Sequence, residues 1–106
     1  MIWTIKRLEV RLGERAKASA QESYTRKLLD KGVGGCAKKL GEEAVEVIIA
    51  ATSEDDTRLV AESADMMYHL LVLLMSRGLN FTAVEEELHR REAQSGLAEK
   101  AGRKKT

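Results

Sequence analysis

A chain of 106 residues, 43% hydrophobic and 33% charged, with no proline and a formal charge of +1, is one domain by length, large enough for a single core but small enough to be marginal alone. Its single cysteine, Cys36, excludes an internal disulfide and fits a reducing, cytoplasmic setting. The most apolar run, Leu70 to Met75, is far shorter than the roughly 20 residues a membrane-spanning helix needs, and no secretory signal is expected at the N-terminus. Nucleic acid is recognised through a basic face and not through a sum of charges. The near-neutral total is silent on it, and neither a nucleic acid nor a membrane is an expected partner.

In chain order, Ile2, Ile5, Leu8 and Leu12 recur at helical spacing, which predicts a first helix from about residue 2 to residue 20. Gly13 weakens or ends its apolar stripe, and its second half is polar. Ser23 offers an N-cap for a short helix holding Tyr24, Leu28 and Leu29, which Gly32 can end in a left-handed conformation. The segment Gly32-Val33-Gly34-Gly35 reads as a loop or hinge. A helix over about 35–51 follows, with Gly41 inside it at a cost of about 1 kcal/mol relative to alanine. Close approach of a backbone or ligand, or simple helix packing, accounts for a glycine there. Ser53 and Asp56 resemble a cap before the next helix, which extends to about Arg77 and is closed by Gly78.

That helix is apolar nearly all round from Ala64 to Met75, as a surface helix is not. Burial against a second subunit in a symmetric homodimer is therefore expected. Thr82-Ala83-Val84-Glu85 has the form of a capping box. The helix it predicts carries Val84 and Leu88 beside a charged face of Glu85, Glu86, Glu87, Arg90, Arg91 and Glu92. Residues 96–106 form a basic tail, expected to be mobile, after a domain over 1–95. Strand-like alternation is absent. The expected fold is all-α, a bundle-like domain of four to five helices completed by dimerisation.

The chemistry lies in two short signatures on the two apolar helices. One is Glu43-x-x-Glu46 with Glu42 beside it; the other is Glu62-x-x-Asp65. Residues three apart share a helix face, so each pair can aim two carboxylates at one point. Four converging oxygen ligands suit Mg²⁺, with Mn²⁺ as a substitute, better than zinc. A glutamate such as Glu54 or Glu86 is read as a solvated surface position. The spaced pairs stand in apolar company, with Glu46 between Val45 and Val47 and Asp65 before Met66 and Met67. Such carboxylates need a salt-bridge partner or a cation.

Lys38 and Lys39, one turn before Glu42 and Glu43, are either those partners or point charges for phosphate oxygens. Arg26, Lys27 and Lys31 add to a basic neighbourhood. His69 follows Asp65 by four residues and is read as held by it or satisfied in the core, in preference to a metal ligand. His89 reads as solvated, Tyr68 and Trp3 as core or interface aromatics, and Met66, Met67 and Met75 as packing residues.

Taken together, Ser23-Tyr24-Thr25-x-Lys27-Leu28-Leu29, Lys39-x-Gly41-Glu42-Glu43-Ala44-x-Glu46, Glu62-x-x-Asp65 with Tyr68-His69-Leu70-Leu71, and Arg77-Gly78-Leu79 resemble the phosphoribosyl-ATP pyrophosphatase family. The resemblance extends from about Leu8 to Ser95-Gly96-Leu97. It implies the second step of histidine biosynthesis, in which phosphoribosyl-ATP and water give phosphoribosyl-AMP and pyrophosphate with Mg²⁺. It also implies a helical dimer with active sites near the subunit interface. On this reading Glu43, Glu46, Glu62 and Asp65 hold the metal, Glu42 and Glu46 are the catalytic carboxylates, and Lys27, Lys38 and Lys39 neutralise phosphate charge.

Two departures stand out. Gly34-Gly35 occupies positions where polar or charged residues are expected, and the chain has no room for the cyclohydrolase to which some relatives are fused. The alternatives are a MazG-type pyrophosphohydrolase for another nucleotide, a non-enzymatic helical dimer, and a di-iron carboxylate protein. The last lacks its paired Glu-x-x-His motifs.

Overall fold

A computed structural model of the chain describes residues 2–93, so the tail over 96–106 and the Ser95-Gly96-Leu97 match lie outside the described residues. Five helices follow one another: α1 (Ile5–Arg15), α2 (Tyr24–Asp30), α3 (Gly32–Ser53), α4 (Asp56–Ser76) and α5 (Phe81–Glu92). No strand is present among the described residues, and the all-α expectation is met.

The long helices α3 and α4 form a hairpin with the most extensive helix–helix contact among the described residues. The short α2 lies across both of them, and α1 links α2 to α5. Leu12, Leu28, Cys36, Leu71 and Val72 make the buried core where α1 to α4 meet, with Ile5, Leu8, Leu29, Tyr68 and Phe81 packed around it. The Cys36 thiol donates to the Leu28 carbonyl at 3.3 Å. This cysteine is a core residue.

Helix ends differ from the sequence expectation wherever a nearer cap wins. Thr4 caps α1 by accepting from the Arg7 amide, so the helix starts at Ile5 and leaves Ile2 and Trp3 exposed. Trp3 is thus not a core aromatic of this chain. Gly13 does not end α1, which runs to Arg15. Asp55 and not Ser53 caps α4, accepting from Arg58 at 2.9 Å.

Asn80, and not the Thr82 capping box, caps α5 by accepting from Ala83 at 3.1 Å. The Phe81 amide, the next free donor, is taken by the Glu9 carboxylate of α1. Side-chain caps are favoured because they satisfy amides that the helix itself cannot.

The glycine-rich segment is not a loop. α3 begins at Gly32, whose φ of +77° turns the chain directly out of α2. A Cβ on Gly35 would lie 2.5 Å from the Lys31 Cβ, so the tight junction requires glycine there. Gly41 faces open space, with no neighbour in reach of an added Cβ. Gly78, with φ +71°, closes α4 in a Schellman arrangement in which the Leu79 amide reaches the Leu74 carbonyl and the Gly78 amide that of Met75.

α4 is long and apolar enough, by length and composition, to cross a membrane, which the short run Leu70 to Met75 did not suggest. Its buried residues nevertheless include Glu62 and His69 beside Leu71 and Val72, all packed within the helical domain.

Candidate functional site

The hairpin brings α3 and α4 together so that one carboxylate oxygen from each of Glu43, Glu62 and Asp65 lies within 4.8 Å of the others. Glu62 and Asp65 are neighbours on one face of α4 by their spacing, and Glu43 meets them from α3. Three carboxylates this close repel strongly.

Cations offset part of that charge. The Lys39 ammonium stands 3.3 Å from Glu43 and 3.7 Å from Glu42. The Arg58 guanidinium donates to Glu62 at 2.6 Å and also lies 3.8 Å from Glu54. Asp65 enters no ion pair among the described residues. The group therefore keeps an excess of negative charge and an all-oxygen donor set, which fits a hard divalent cation of the magnesium or manganese kind.

Not every expected residue joins the group. Glu46 is exposed on α3 one turn beyond Glu43 and stands outside the three-carboxylate cluster. Glu42 is exposed and tied to Lys39. Lys27 on α2 and Lys38 on α3 are exposed, and neither is ion-paired among the described residues. Lys39 is the partner of the acidic pair that the spacing offered. The hydrogen bond to Glu43, reinforced by the charges of the Glu43 and Glu42 carboxylates, holds its ammonium above the usual lysine range. It is a permanent positive charge at the edge of the cluster.

His69 and Tyr68 sit as the sequence reading expected, the first held by Asp65 and the second against the core, and what that reading missed is their link to Tyr24. His69 is buried, and its Nδ1 lies 2.7 Å from the Asp65 backbone carbonyl. That oxygen can only accept, so Nδ1 carries the proton, and in the tautomer this selects Nε2 is the acceptor. The Tyr24 hydroxyl donates to it at 3.1 Å. His69 is thus held by the backbone of Asp65 and not by its carboxylate.

Tyr68 adjoins this pair. Its ring stacks with that of Tyr24 at 6.1 Å and 23°, and its hydroxyl meets that of the fully buried Thr25 at 2.6 Å. Burial raises the Tyr24 hydroxyl above its ordinary range; Lys39 opposes the shift, and Tyr68, Glu43 and Asp65 reinforce it. The signal for Arg58 was present in its spacing of four from Glu62 on one helix. For Tyr24 and His69 it was only the shared motif, since 45 residues separate them.

Comparison with known proteins adds a family. The family model described as phosphoribosyl-ATP pyrophosphohydrolase matches residues 5–92. The phosphoribosyl-ATP pyrophosphatase 1 of Bradyrhizobium diazoefficiens is 54% identical over 96% of this chain and 96% of its own. The phosphoribosyl-ATP pyrophosphatase of Nitrobacter hamburgensis is 54% identical over 95% and 94%, and phosphoribosyl-ATP pyrophosphatase 1 of Rhodopseudomonas palustris 50% over 97% and 96%.

Proposed function

The chain belongs to the phosphoribosyl-ATP pyrophosphohydrolase family, and from that premise we propose that it hydrolyses phosphoribosyl-ATP to phosphoribosyl-AMP and pyrophosphate, the second step of histidine biosynthesis. Water adds to the phosphorus that stays with the nucleotide, and the anhydride bond to the pyrophosphate breaks. The observation that carries the reading is the convergence of Glu43, Glu62 and Asp65 beside the charged Lys39.

In this mechanism Glu43, Glu62 and Asp65 hold a divalent cation, Mg²⁺ with Mn²⁺ as a substitute, and Glu46 joins them as a ligand or catalytic carboxylate from the next turn of α3. When bound, the cation neutralises the phosphate oxygens and the charge developing on the leaving group. Lys39 adds a fixed positive charge beside them, and the exposed Lys27 and Lys38 extend it to the outer phosphates. Glu42, within reach of Lys39, is the candidate to orient the attacking water. Arg58 pairs with the buried Glu62 and holds its carboxylate in place.

The working form is a homodimer of the cytoplasm. In support of the dimer, Val45, Ile48 and Ile49 form an exposed apolar stripe on α3, with Val60 exposed on α4. Incubation of the purified chain with phosphoribosyl-ATP and Mg²⁺, followed by separation of the products, tests the assignment. Equal amounts of phosphoribosyl-AMP and pyrophosphate are expected. Preferential turnover of a different nucleoside triphosphate, or no pyrophosphate at all, overturns it.

A further inference from the structure

Of the aromatic side chains around the carboxylate group, Tyr24 is the one that stays open, at 49% exposed. It is nevertheless fixed at several points. Its hydroxyl is bonded to the buried His69, its ring stacks on Tyr68, and His69 meets it edge-on at 5.9 Å and 83°. Ser23 holds the backbone by capping α2 one residue earlier. Tyr68 is itself tied to Thr25, the most buried polar residue.

The Tyr24 hydroxyl is one imidazole away from the backbone of Asp65, a member of the carboxylate cluster. A buried histidine spent on holding a half-exposed ring pre-organises that ring for a partner from solution. Flat π-surfaces of this kind bind purine and pyrimidine bases by stacking, whatever the base.

We propose that Tyr24 is the surface on which the base of a nucleoside triphosphate stacks while its phosphates reach the carboxylate cluster, and that His69 is the positioning residue that holds Tyr24 in place. The inference rests on the nucleotide-hydrolysing reading above and assigns the recognition of the base within it. Lys39 serves the phosphate half of the site, paired with Glu43 and Glu42. Triphosphate and base are then read by separate groups.

The test is a pair of calorimetric titrations in Mg²⁺ buffer, with ATP and with inorganic tripolyphosphate, which has no base. Tyr24→Ala is expected to weaken ATP binding by roughly 10- to 100-fold, the range that loss of one stacked base produces, and to leave tripolyphosphate within about twofold. Tyr24→Phe keeps the ring and should retain most ATP affinity.

His69→Gln should weaken ATP alone. Its effect should largely disappear in a Tyr24→Ala background, because both changes remove one interaction. Equal weakening of both ligands, unchanged ATP binding, or full additivity of the two substitutions overturns the proposal. Helical circular dichroism of each variant identifies loss of fold, and Tyr24→Phe then carries the comparison. Phosphoribosyl-ATP hydrolysis by the same wild-type preparation tests the underlying reading separately: turnover without the ATP-specific loss removes the stacking role alone, and the ATP-specific loss without turnover removes the substrate assignment alone.

Discussion

Arg58 places its guanidinium 2.6 Å from the Glu62 carboxylate, one helical turn along α4, and so puts a positive charge on a buried acid that also faces Glu43 and Asp65. The arginine is 54% exposed on its side chain and the glutamate 10%. Removing the arginine strands a buried carboxylate among its own kind.

Arg58→Met is therefore expected to destabilise the metal-free protein by about 1–2 kcal/mol, less than a fully buried pair because half of the arginine is already in water. Added Mg²⁺ should recover more stability in the variant than in the wild type, since a cation on the cluster takes over the missing charge. Thermal melts of both proteins with and without MgCl₂ measure this. Equal Mg²⁺ shifts in the two would separate Arg58 from the cation site.

Glu46→Gln should abolish turnover while leaving the helical circular-dichroism signal unchanged, because the residue is exposed and outside the core. Removing a carboxylate that touches reacting groups costs on the order of 10²-fold or more. Full activity in this variant removes Glu46 from the site.

Gly41 interrupts α3 with a residue of low helix propensity and faces open space. Gly41→Ala is expected to stabilise the protein by about 0.5–1 kcal/mol in urea unfolding. If the same variant raises KM for the nucleotide without lowering stability, the glycine is there to let a ligand approach α3. A loss of stability would contradict the open geometry.

Glu87 on α5 lies under Arg90 and within reach of Arg91, and the hydrogen bond from Arg90 lowers its carboxyl from the ordinary 4.5 to about 2. A depressed carboxylate adds stability above its unfolded value and loses it as pH falls through the folded one, here from 4.5 toward 2. The carboxyl ¹³C shift of Glu87 should titrate near 2. A midpoint near 4.5 contradicts the pairing.

The fold was legible where pattern and length agree. The apolar stripes of α3 and α4, with Gly78 at the end of the second, are local signals that no packing overrides, and the structure has both helices. The caps were less legible because several residues compete for each helix start. At α5 Asn80 and not Thr82 is the cap, and the Phe81 amide goes to Glu9, 72 residues away. Gly32 ends α2 in the left-handed conformation expected of it and also opens α3, because its positive φ joins the two helices without a loop between them.

For the site, the period of three placed Glu62 beside Asp65, and only the hairpin brought Glu43 to them. Nothing in a one-dimensional spacing could foretell that Glu46 stands outside this cluster, since that depends on the rotation of α3 against α4. The Tyr24 to His69 bond is equally a product of tertiary packing.

The account turns on whether Glu43, Glu62 and Asp65 act together as one cation site. Calorimetric titration of Mn²⁺ into the wild type and into Asp65→Asn, chosen because Asp65 is exposed and tolerates the change, tests this most directly. Saturable binding in the wild type, weakened by roughly tenfold or more in the variant, is the predicted result. Equal Mn²⁺ affinity in the two proteins, or none in either, would contradict it.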